Sequence, residues 1–160
     1  MKKSIIIYFS YTGNTRKIAN MIKEKLNCDI LELKPVTPYS NNYQEVVDEE
    51  QRLEGSNHTP PIEPINVNLE DYDTIILGTP IWWYTIAPVI RTFLKENNLA
   101  QKQIIPFATN AGWLGQAFKE IERLCPTSKV EKGMNIVFES YSDKLVTDVK
   151  EITDWINKIN

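Results

Sequence analysis

The 160-residue chain has few of the residues from which proteins build metal and nucleophilic sites. It contains one histidine, His58, and two cysteines, Cys28 and Cys125, without a Cys-x-x-Cys spacing. A metal site and histidine-based catalysis are therefore disfavoured, and His58 is expected to be a loop residue in the polar, proline-rich run GSNHTPPIEP. The two cysteines are expected to be small buried hydrophobic residues rather than a disulfide.

Long apolar runs and blocks of positive charge are also missing. The apolar segment SIIIYFS, at residues 4–10, is too short to span a bilayer and has no cleavage site of small residues, which predicts a cytoplasmic protein. A net charge of −3 gives no reason to expect nucleic acid or a membrane as a partner. A length of 160 residues predicts one domain over residues 1–160. Hydrophobic residues make up 42% and charged residues 24% of the chain, an ordinary globular balance that argues against a disordered or fibrous protein.

Strand-like and helix-like segments alternate along the chain. Short apolar runs predict five strands, at residues 4–10, 29–34, 73–79, 103–109 and 134–140. Helical spacing predicts helices at residues 14–26, 43–55, 88 onwards, 115–125 and from a cap at Asp143 to residue 159. Pro106 predicts a local irregularity in the fourth strand. Strands that alternate with helices predict an α/β fold, a three-layer, doubly wound parallel sheet with right-handed crossovers.

The loop after the first strand, within YFSYTGNTRKIA, has many small hydrogen-bonding groups. Ser10, Thr12 and Thr15 supply hydroxyls, Gly13 permits a tight turn, and the first N–H groups of the next helix point toward one spot. A phosphate site and a simple helix cap both fit this loop. Because the Walker A and G-x-G-x-x-G patterns do not occur, nucleotide hydrolysis is disfavoured. A response-regulator receiver is excluded because no acidic residues follow the strand.

Two further loops follow strands whose carboxyl ends lie at the same edge of the predicted sheet, where parallel sheets bind ligands. TPIWWYTIAP contains Trp82, Trp83 and Tyr84, which cannot all enter one core, so at least one ring is expected to be exposed or to line a cleft. Packing beneath the loop or a partner interface is the alternative. ATNAGWLGQ contains Gly112 and Gly115, which allow close approach to a flat ligand or a turn into a helix. Together the three loops predict a planar, phosphorylated cofactor.

These three loops, in this order, resemble those of the flavodoxin family over nearly the whole chain. SYTGNT is similar to the family's FMN phosphate loop, and GTPIWW, PFATNAG and LCP resemble a short-chain, flavodoxin-like subgroup. The resemblance implies a sheet of order 2-1-3-4-5 with FMN bound non-covalently at its switch point. It implies phosphate contacts from Ser10, Tyr11, Thr12, Gly13, Asn14 and Thr15. It implies ring contacts from Thr79, Pro80, Ile81, Trp82, Trp83 and Tyr84 on one side, and from Thr109, Asn110, Ala111, Gly112, Trp113 and Gly115 on the other.

Two positions depart from the pattern of the family. Tyr84 stands where relatives often have glycine, and NAGWLG replaces a loop that is usually richer in glycine and contains serine. Flavodoxins turn over a peptide in the loop after strand three during their redox cycle, which places a residue at positive φ. Tyr84 is bulky, and we therefore expect it to resist that conformation.

The leading functional hypothesis is an FMN-binding redox protein that transfers electrons between protein or small-molecule partners, with the flavin supplying the chemistry. The alternative is an enzyme on the same scaffold, an NAD(P)H-dependent reductase of quinones, flavins or nitro compounds. A net charge of −3 separates these two poorly, because it is modest for a carrier with an acidic docking face. A flavin-free interaction module that uses the tryptophan cluster is a third alternative.

Overall fold

The computed structural model describes residues 3–53 and 58–159. Its strands are β1 (Ser4–Tyr8), β2 (Asp29–Glu32), β3 (Thr74–Trp82), β4 (Thr85–Ile86), β5 (Gln103–Asn110), β6 (Lys129–Val130) and β7 (Met134–Val137). Its helices are α1 (Asn14–Leu26), α2 (Tyr43–Leu53), α3 (Pro88–Glu96), α4 (Ala117–Leu124) and α5 (Val149–Asn157), with a 3-10 turn at Leu69–Asp71. The predicted end of the second helix, at Glu54 and Gly55, lies outside the described residues. Within the described ranges, no helix is long and apolar enough to cross a membrane.

The main sheet is parallel and follows the order β2-β1-β3-β5. Both β6 and β7 then pair with β5, so two short segments together fill the fifth position. The predicted order 2-1-3-4-5 is therefore confirmed, with the fifth strand divided. Strand β4 instead pairs antiparallel with the end of β3. These connections place the carboxyl ends of β1, β3, β5 and β7 at one edge of the sheet.

Pro106 lies within the central strand β5, in register with the middle of β3. The carbonyl groups of Ile104 and Asn110 accept hydrogen bonds from the N–H groups of Glu131 and Phe138. Because alternate residues of a parallel strand bond to the same neighbour, Pro106 faces the β6 and β7 side as well. The gap between β6 and β7 therefore lies opposite the residue that has no N–H to donate. The irregularity predicted at Pro106 is found in the neighbouring strand.

Side chains alternate between two apolar layers along the strands. One layer packs the sheet against α3 and α4, and its fully buried members include Ile5, Ile7, Ile75, Leu77, Ile90 and Phe93. The other packs the sheet against α1 and α5, and its fully buried members include Ile6, Ile18, Ile22, Ile76, Phe107 and Ile152. Both faces of the sheet are covered, which confirms the predicted three-layer architecture.

The last helix begins later than the sequence predicted. Asp143 does not cap it, because α5 starts at Val149 and the carboxylate of Asp148 accepts a hydrogen bond from the N–H of Lys150 at 2.9 Å. Leu145, which fitted the helical spacing, instead forms an isolated antiparallel bridge with Phe138. The apolar pattern therefore combined one residue of an extended segment with the residues of a helix.

A buried ion pair joins α3, α4 and β4 beneath the end of β3. Arg91 Nε lies 2.7 Å from Glu120 Oε1, and the two side chains are 8% and 10% exposed. The hydroxyl of Thr85 also donates to the Glu120 carboxylate, and Arg91 donates to the carbonyl of His58 at 3.1 Å. Burial raises the pKa of Glu120, but the hydrogen bonds from Arg91 and Thr85 outweigh it and hold that pKa below its usual value.

We expect Glu120→Leu to lower the free energy of unfolding by about 3 to 5 kcal/mol, because it leaves the Arg91 guanidinium buried without its partner. The double variant Arg91→Met with Glu120→Leu should recover most of this loss, as measured by urea unfolding at pH 7. Since the pKa of Glu120 is lowered on folding, its contribution is present above the ordinary value of 4.5 and is lost as the pH falls through the lowered value. Equal acid sensitivity in wild type and double variant would contradict this account.

Candidate functional site

A cleft of about 930 Å³ opens at the carboxyl edge of the sheet. This volume lies within the range of small-molecule sites in proteins. Most of the residues predicted to bind a cofactor line it, namely Tyr11, Thr12, Asn14, Pro80, Ile81, Trp82, Trp83, Tyr84, Thr109, Asn110, Ala111 and Trp113. The remaining predicted residues are not part of this lining: Thr79 lies in β3, Thr15 lies in α1, and Ser10, Gly13, Gly112 and Gly115 lie in the adjoining loops. The three predicted loops are therefore brought together around one cleft.

The loop between β1 and α1 leaves two backbone donors free at the start of the helix. Ser10 Oγ accepts hydrogen bonds from the N–H groups of Gly13 and Arg16, each at 3.2 Å. Gly13 has a φ of 105°, which favours glycine. Within residues 3–53 and 58–159, the N–H groups of Asn14 and Thr15 have no acceptor. Ser10 thus acts partly as a cap, and the two free N–H groups suit an anion such as a phosphate.

The two basic side chains in the first turn of α1, Arg16 and Lys17, are already engaged. Arg16 donates to both carboxylate oxygens of Glu32, with distances of 3.1 and 2.7 Å. Tyr8 donates to the same carboxylate at 3.0 Å, and burial together with the charge of Glu32 raises the pKa of Tyr8 to about 12. Lys17 Nζ lies 3.3 Å from the carbonyl oxygen of Asp143. An anion here would therefore be held by backbone N–H groups and hydroxyls rather than by a free cationic side chain.

Hydrogen bonds tie the first loop to the other walls of the cleft. The hydroxyls of Thr15 and Thr109 lie 2.7 Å apart and are buried. The Asn14 side chain donates to the carbonyl of Ser142 at 2.9 Å, in the loop after β7. Tyr11 donates to the carbonyl of Ser40 at 2.5 Å, in the segment before α2. These bonds fix the positions of four walls relative to one another.

The second loop is a hairpin turn rather than an open loop. Strand β3 continues past its predicted end at Thr79, and Trp82 pairs with Thr85, which leaves Trp83 and Tyr84 as a two-residue turn. Both have positive φ, 52° and 64°, as a type I′ turn requires. The expectation that Tyr84 resists positive φ is therefore wrong. The strand pairing and a 2.7 Å hydrogen bond from the N–H of Gln116 to the Tyr84 carbonyl hold this conformation.

The third loop packs directly against this turn through Gly115. A Cβ atom on Gly115 would lie 2.0 Å from the carbonyl oxygen of Tyr84, so only glycine allows this approach. Gly112, in contrast, has a φ of 119° and open space around the position of its missing Cβ. The two predicted glycines therefore have different roles, because Gly115 admits the backbone of the hairpin and Gly112 permits a turn of the chain.

The aromatic residues of the second and third loops divide into an inner and an outer group. Trp82 packs inward, edge-on to Tyr39 with ring centroids 5.0 Å apart, and also contacts Phe9 and Tyr11. Trp83, Tyr84 and Trp113 form the outer group and are 38%, 61% and 61% exposed. The prediction that at least one ring is exposed is confirmed for these three residues. The alternative, packing beneath the loop, applies to Trp82.

Two walls of the cleft were not predicted from the sequence. The loop after β7 contributes Glu139, Ser140, Tyr141, Ser142 and Asp143, and α2 contributes Tyr43, Val46, Val47 and Glu50. Tyr141 is 90% exposed and contacts the ring of Tyr43 edge-on at 5.7 Å, so these two walls meet. The run ESYSD after the fifth strand gave a usable signal, because its polar residues follow a strand that ends at the same sheet edge.

Comparisons with known proteins agree with this architecture. A family model described as flavodoxin matches residues 3–159. A candidate flavoprotein from Bacteroides uniformis is 28% identical with a TM-score of 0.80, and the match covers 98% of each chain. Another from Bacteroides eggerthii is 26% identical with a TM-score of 0.79, covering 99% of this chain and 98% of that one.

A flavoprotein from Lactobacillus acidophilus, solved in complex with FMN, is 24% identical with a TM-score of 0.74. That match covers 84% of this chain and 93% of the other. A comparison with curated proteins found no match. At this level of identity, the Lactobacillus acidophilus structure shows that the two chains share a fold.

We expect Tyr84→Gly to raise the free energy of unfolding by about 0.5 to 1 kcal/mol. Positive φ costs a bulky residue roughly 1 to 2 kcal/mol, and glycine removes this cost. Glycine also gives the unfolded chain more conformational freedom, which cancels part of the increase in stability. Tyr84→Ala is the matched control, because it removes the same exposed ring but keeps a Cβ. Urea unfolding should therefore show a gain for glycine alone, and equal stability of the two variants would contradict strain in the turn.

Proposed function

We propose that this chain, which belongs to the flavodoxin family, binds FMN non-covalently in the cleft and transfers electrons between redox partners. The observation that carries the proposal is that α1 begins at the cleft with two free N–H groups, on Asn14 and Thr15, and that Asn14 and exposed aromatic rings line the same cleft. Free N–H groups at a helix N-terminus suit a phosphate, and aromatic faces suit a planar ring. The complex of the Lactobacillus acidophilus flavoprotein with FMN supports this choice of cofactor.

The proposed contacts follow the three predicted loops. The first loop would hold the phosphate with the N–H groups of Asn14 and Thr15 and the exposed hydroxyl of Thr12. The second and third loops would flank the ring with Trp83 and Trp113, among the other residues at 79–84 and 109–115. When bound, FMN supplies the redox chemistry, and the protein orients it and limits its contact with water.

Residues behind the cleft lining would position these contacts. Thr79 is fully buried, and its hydroxyl accepts a hydrogen bond from the N–H of Ala87 at 3.0 Å. This bond connects β3 to Ala87, the residue that precedes α3. Ser10 and Thr15 act in the same way beneath the phosphate loop, since their hydroxyls are engaged within the protein. These three residues would shape the site without contacting the ring.

The partners that we propose are redox proteins or a small-molecule electron acceptor. A second candidate function is an NAD(P)H-dependent reductase, and the outer aromatic group favours it. Tyr84 and Trp113 are each 61% exposed at the cleft mouth, which leaves apolar surface for a second planar molecule. We propose the cytoplasm as the compartment, because Cys28 and Cys125 are both free.

Anaerobic reduction of the FMN-loaded protein separates these functions. Purified apoprotein is mixed with FMN, and tryptophan quenching and the bound flavin spectrum measure uptake. The loaded protein is then treated with dithionite, NADH or NADPH in separate samples. An electron carrier should be reduced by dithionite and hardly by either nucleotide, whereas rapid bleaching by a nucleotide alone assigns the reductase function. A protein that takes up no FMN would contradict the proposal.

We expect Thr12→Ala to weaken FMN binding about tenfold or more, because a hydrogen bond to a charged group contributes roughly 1.5 to 3 kcal/mol. Gly13→Val should also weaken binding, since valine disfavours a φ of 105°. Thr37→Ala, an exposed threonine that is not part of the cleft lining, is the matched control. Fluorescence titration gives the dissociation constants, and unchanged values in both loop variants would exclude this loop as the phosphate site.

A further inference from the structure

Arg16 and Glu32 form an ion pair beside the first loop of the cleft. Arg16 lies in the first turn of α1, and Glu32 is the last residue of β2. Arg16 Nε donates to Glu32 Oε1 at 3.1 Å, and Arg16 Nη2 donates to Glu32 Oε2 at 2.7 Å. Two parallel bonds of this kind are the most specific way in which a guanidinium binds a carboxylate. One carboxylate therefore occupies two of the three side-chain nitrogens of Arg16.

The sheet holds Glu32 in a fixed position. Tyr8, the last residue of β1, is paired with Glu32 across the two parallel strands, and its hydroxyl donates to Glu32 Oε1 at 3.0 Å. Tyr8 is buried, so this donor has little freedom to move. Burial raises the pKa of Glu32, but the hydrogen bonds from Arg16 and Tyr8 outweigh it and hold that pKa below its usual value. The partner of Arg16 is therefore a fixed carboxylate that is ionised at neutral pH.

The guanidinium of Arg16 lies close to the turn that would hold the phosphate. Its third nitrogen, Nη1, is 3.9 Å from the position that a Cβ atom on Gly13 would occupy. Gly13 directly precedes Asn14, whose N–H is one of the two free backbone donors. The Arg16 side chain is 45% exposed, so nearly half of it faces solvent rather than packed side chains. Without Glu32, rotation of this side chain would bring the guanidinium to a phosphate at the turn.

The ion pair leaves the turn without a full positive charge. Because Glu32 balances the charge of Arg16, a phosphate meets only N–H groups, hydroxyls and the helix N-terminus, which is equivalent to about half an elementary charge. A free arginine would add a full charge and a fork of donors that matches phosphate oxygens. The proposed ring contacts lie in the second and third loops. The pair therefore affects the phosphate end of a flavin and not its ring.

We propose that Glu32 is a positioning residue that determines cofactor specificity, because it occupies Arg16 and so limits the preference of the cleft for phosphorylated over unphosphorylated flavin. This inference rests on the proposed function and concerns the selection of its cofactor. Glu32 acts through Arg16 and does not contact the flavin. The affinity for FMN then depends mainly on ring contacts and neutral donors, and bound FMN stays exchangeable with riboflavin.

A comparison of FMN with riboflavin isolates the contribution of the phosphate, since riboflavin has the same ring and ribityl chain. Fluorescence titration of the apoprotein gives both dissociation constants at about 0.01 M NaCl, where charges are weakly screened. We expect Glu32→Gln to bind FMN about tenfold more tightly, because the released Arg16 gains a charge-assisted hydrogen bond to the phosphate. The riboflavin dissociation constant should stay within about twofold of wild type, because riboflavin offers no phosphate to Arg16.

A double variant assigns the effect to Arg16. Arg16→Met with Glu32→Gln has neither charge and should bind FMN within about twofold of wild type, because only neutral donors remain. Asp154→Asn is the matched control, since it changes the net charge by the same amount as Glu32→Gln. It also releases an exposed lysine, Lys150, whose Nζ lies 2.9 Å from the Asp154 carboxylate, and Asp154 is not part of the cleft lining. This control should bind both flavins as wild type does.

The other outcomes of the titrations also decide the proposal. Unchanged or weaker FMN binding by Glu32→Gln, with riboflavin binding unchanged, would overturn the role of Glu32. Equal tightening of both flavins would overturn it as well, because the effect would not lie at the phosphate. Tightening that persists in the double variant would exclude Arg16 as its cause. A wild-type protein that binds neither flavin would instead contradict the proposed function.

The salt dependence of the wild-type protein tests the proposal without any variant. Since salt screens contacts between charged groups, the FMN dissociation constant of wild type should change less than about threefold between about 0.01 and 1 M NaCl. The tighter FMN binding of Glu32→Gln should be mostly lost at the higher concentration. If Glu32→Gln does not fold, the wild-type series still decides. Wild-type FMN binding that weakens about tenfold or more with salt, while riboflavin binding does not, would show that Arg16 already contacts the phosphate and would overturn the proposal.

Discussion

The carbonyl oxygen of Tyr84 accepts a hydrogen bond from the N–H of Gln116, and this 2.7 Å contact joins the second loop of the cleft to the third. It forms only because Gly115 has no Cβ, since that atom would lie 2.0 Å from the same oxygen. The contact fixes a peptide group at positive φ, a conformation that bulky residues rarely adopt. Trp83 and Tyr84 are exposed as a consequence, while Trp82 packs inward. The aromatic lining of the cleft thus depends on one backbone contact.

Beneath this turn, a polar network anchors the base of the hairpin. Thr85 directly follows the turn, and its hydroxyl reaches the carboxylate of Glu120, which pairs with Arg91. The network crosses from β4 to α4 and α3, so the short strand β4 is held by more than its pairing with β3. A buried ion pair contributes little net stability when it is compared with apolar side chains, but here its hydrogen bonds connect β4, α3 and α4 directly. The hairpin therefore has a defined position relative to both helices.

The fold could be predicted from the sequence almost completely, because buried parallel strands and amphipathic helices give strong local signals. The sequence also predicted that the loops after β1, β3 and β5 would line one cleft, because the carboxyl ends of parallel strands lie at one edge of the sheet. The hairpin at Trp83 and Tyr84 could not be predicted from its own sequence. The residues that stabilise it, Gly115 and Gln116, come much later in the chain, after β5. Glu50 was missed for a similar reason. Its burial results from packing across the sheet edge and not from its local sequence, which reads as an exposed acidic helix.

The charged side chains that line the cleft are acidic rather than basic. Among the residues that line the cleft there are three acidic side chains, Glu50, Glu139 and Asp143, and no lysine, arginine or histidine. Arg16 is held away from the anion position by Glu32. A ligand that gains negative charge in such a cleft meets little compensation, because free N–H groups at one helix end supply only a partial positive charge. Electron transfer to a bound acceptor is therefore most favourable when a proton accompanies it and no net negative charge is added to the cleft.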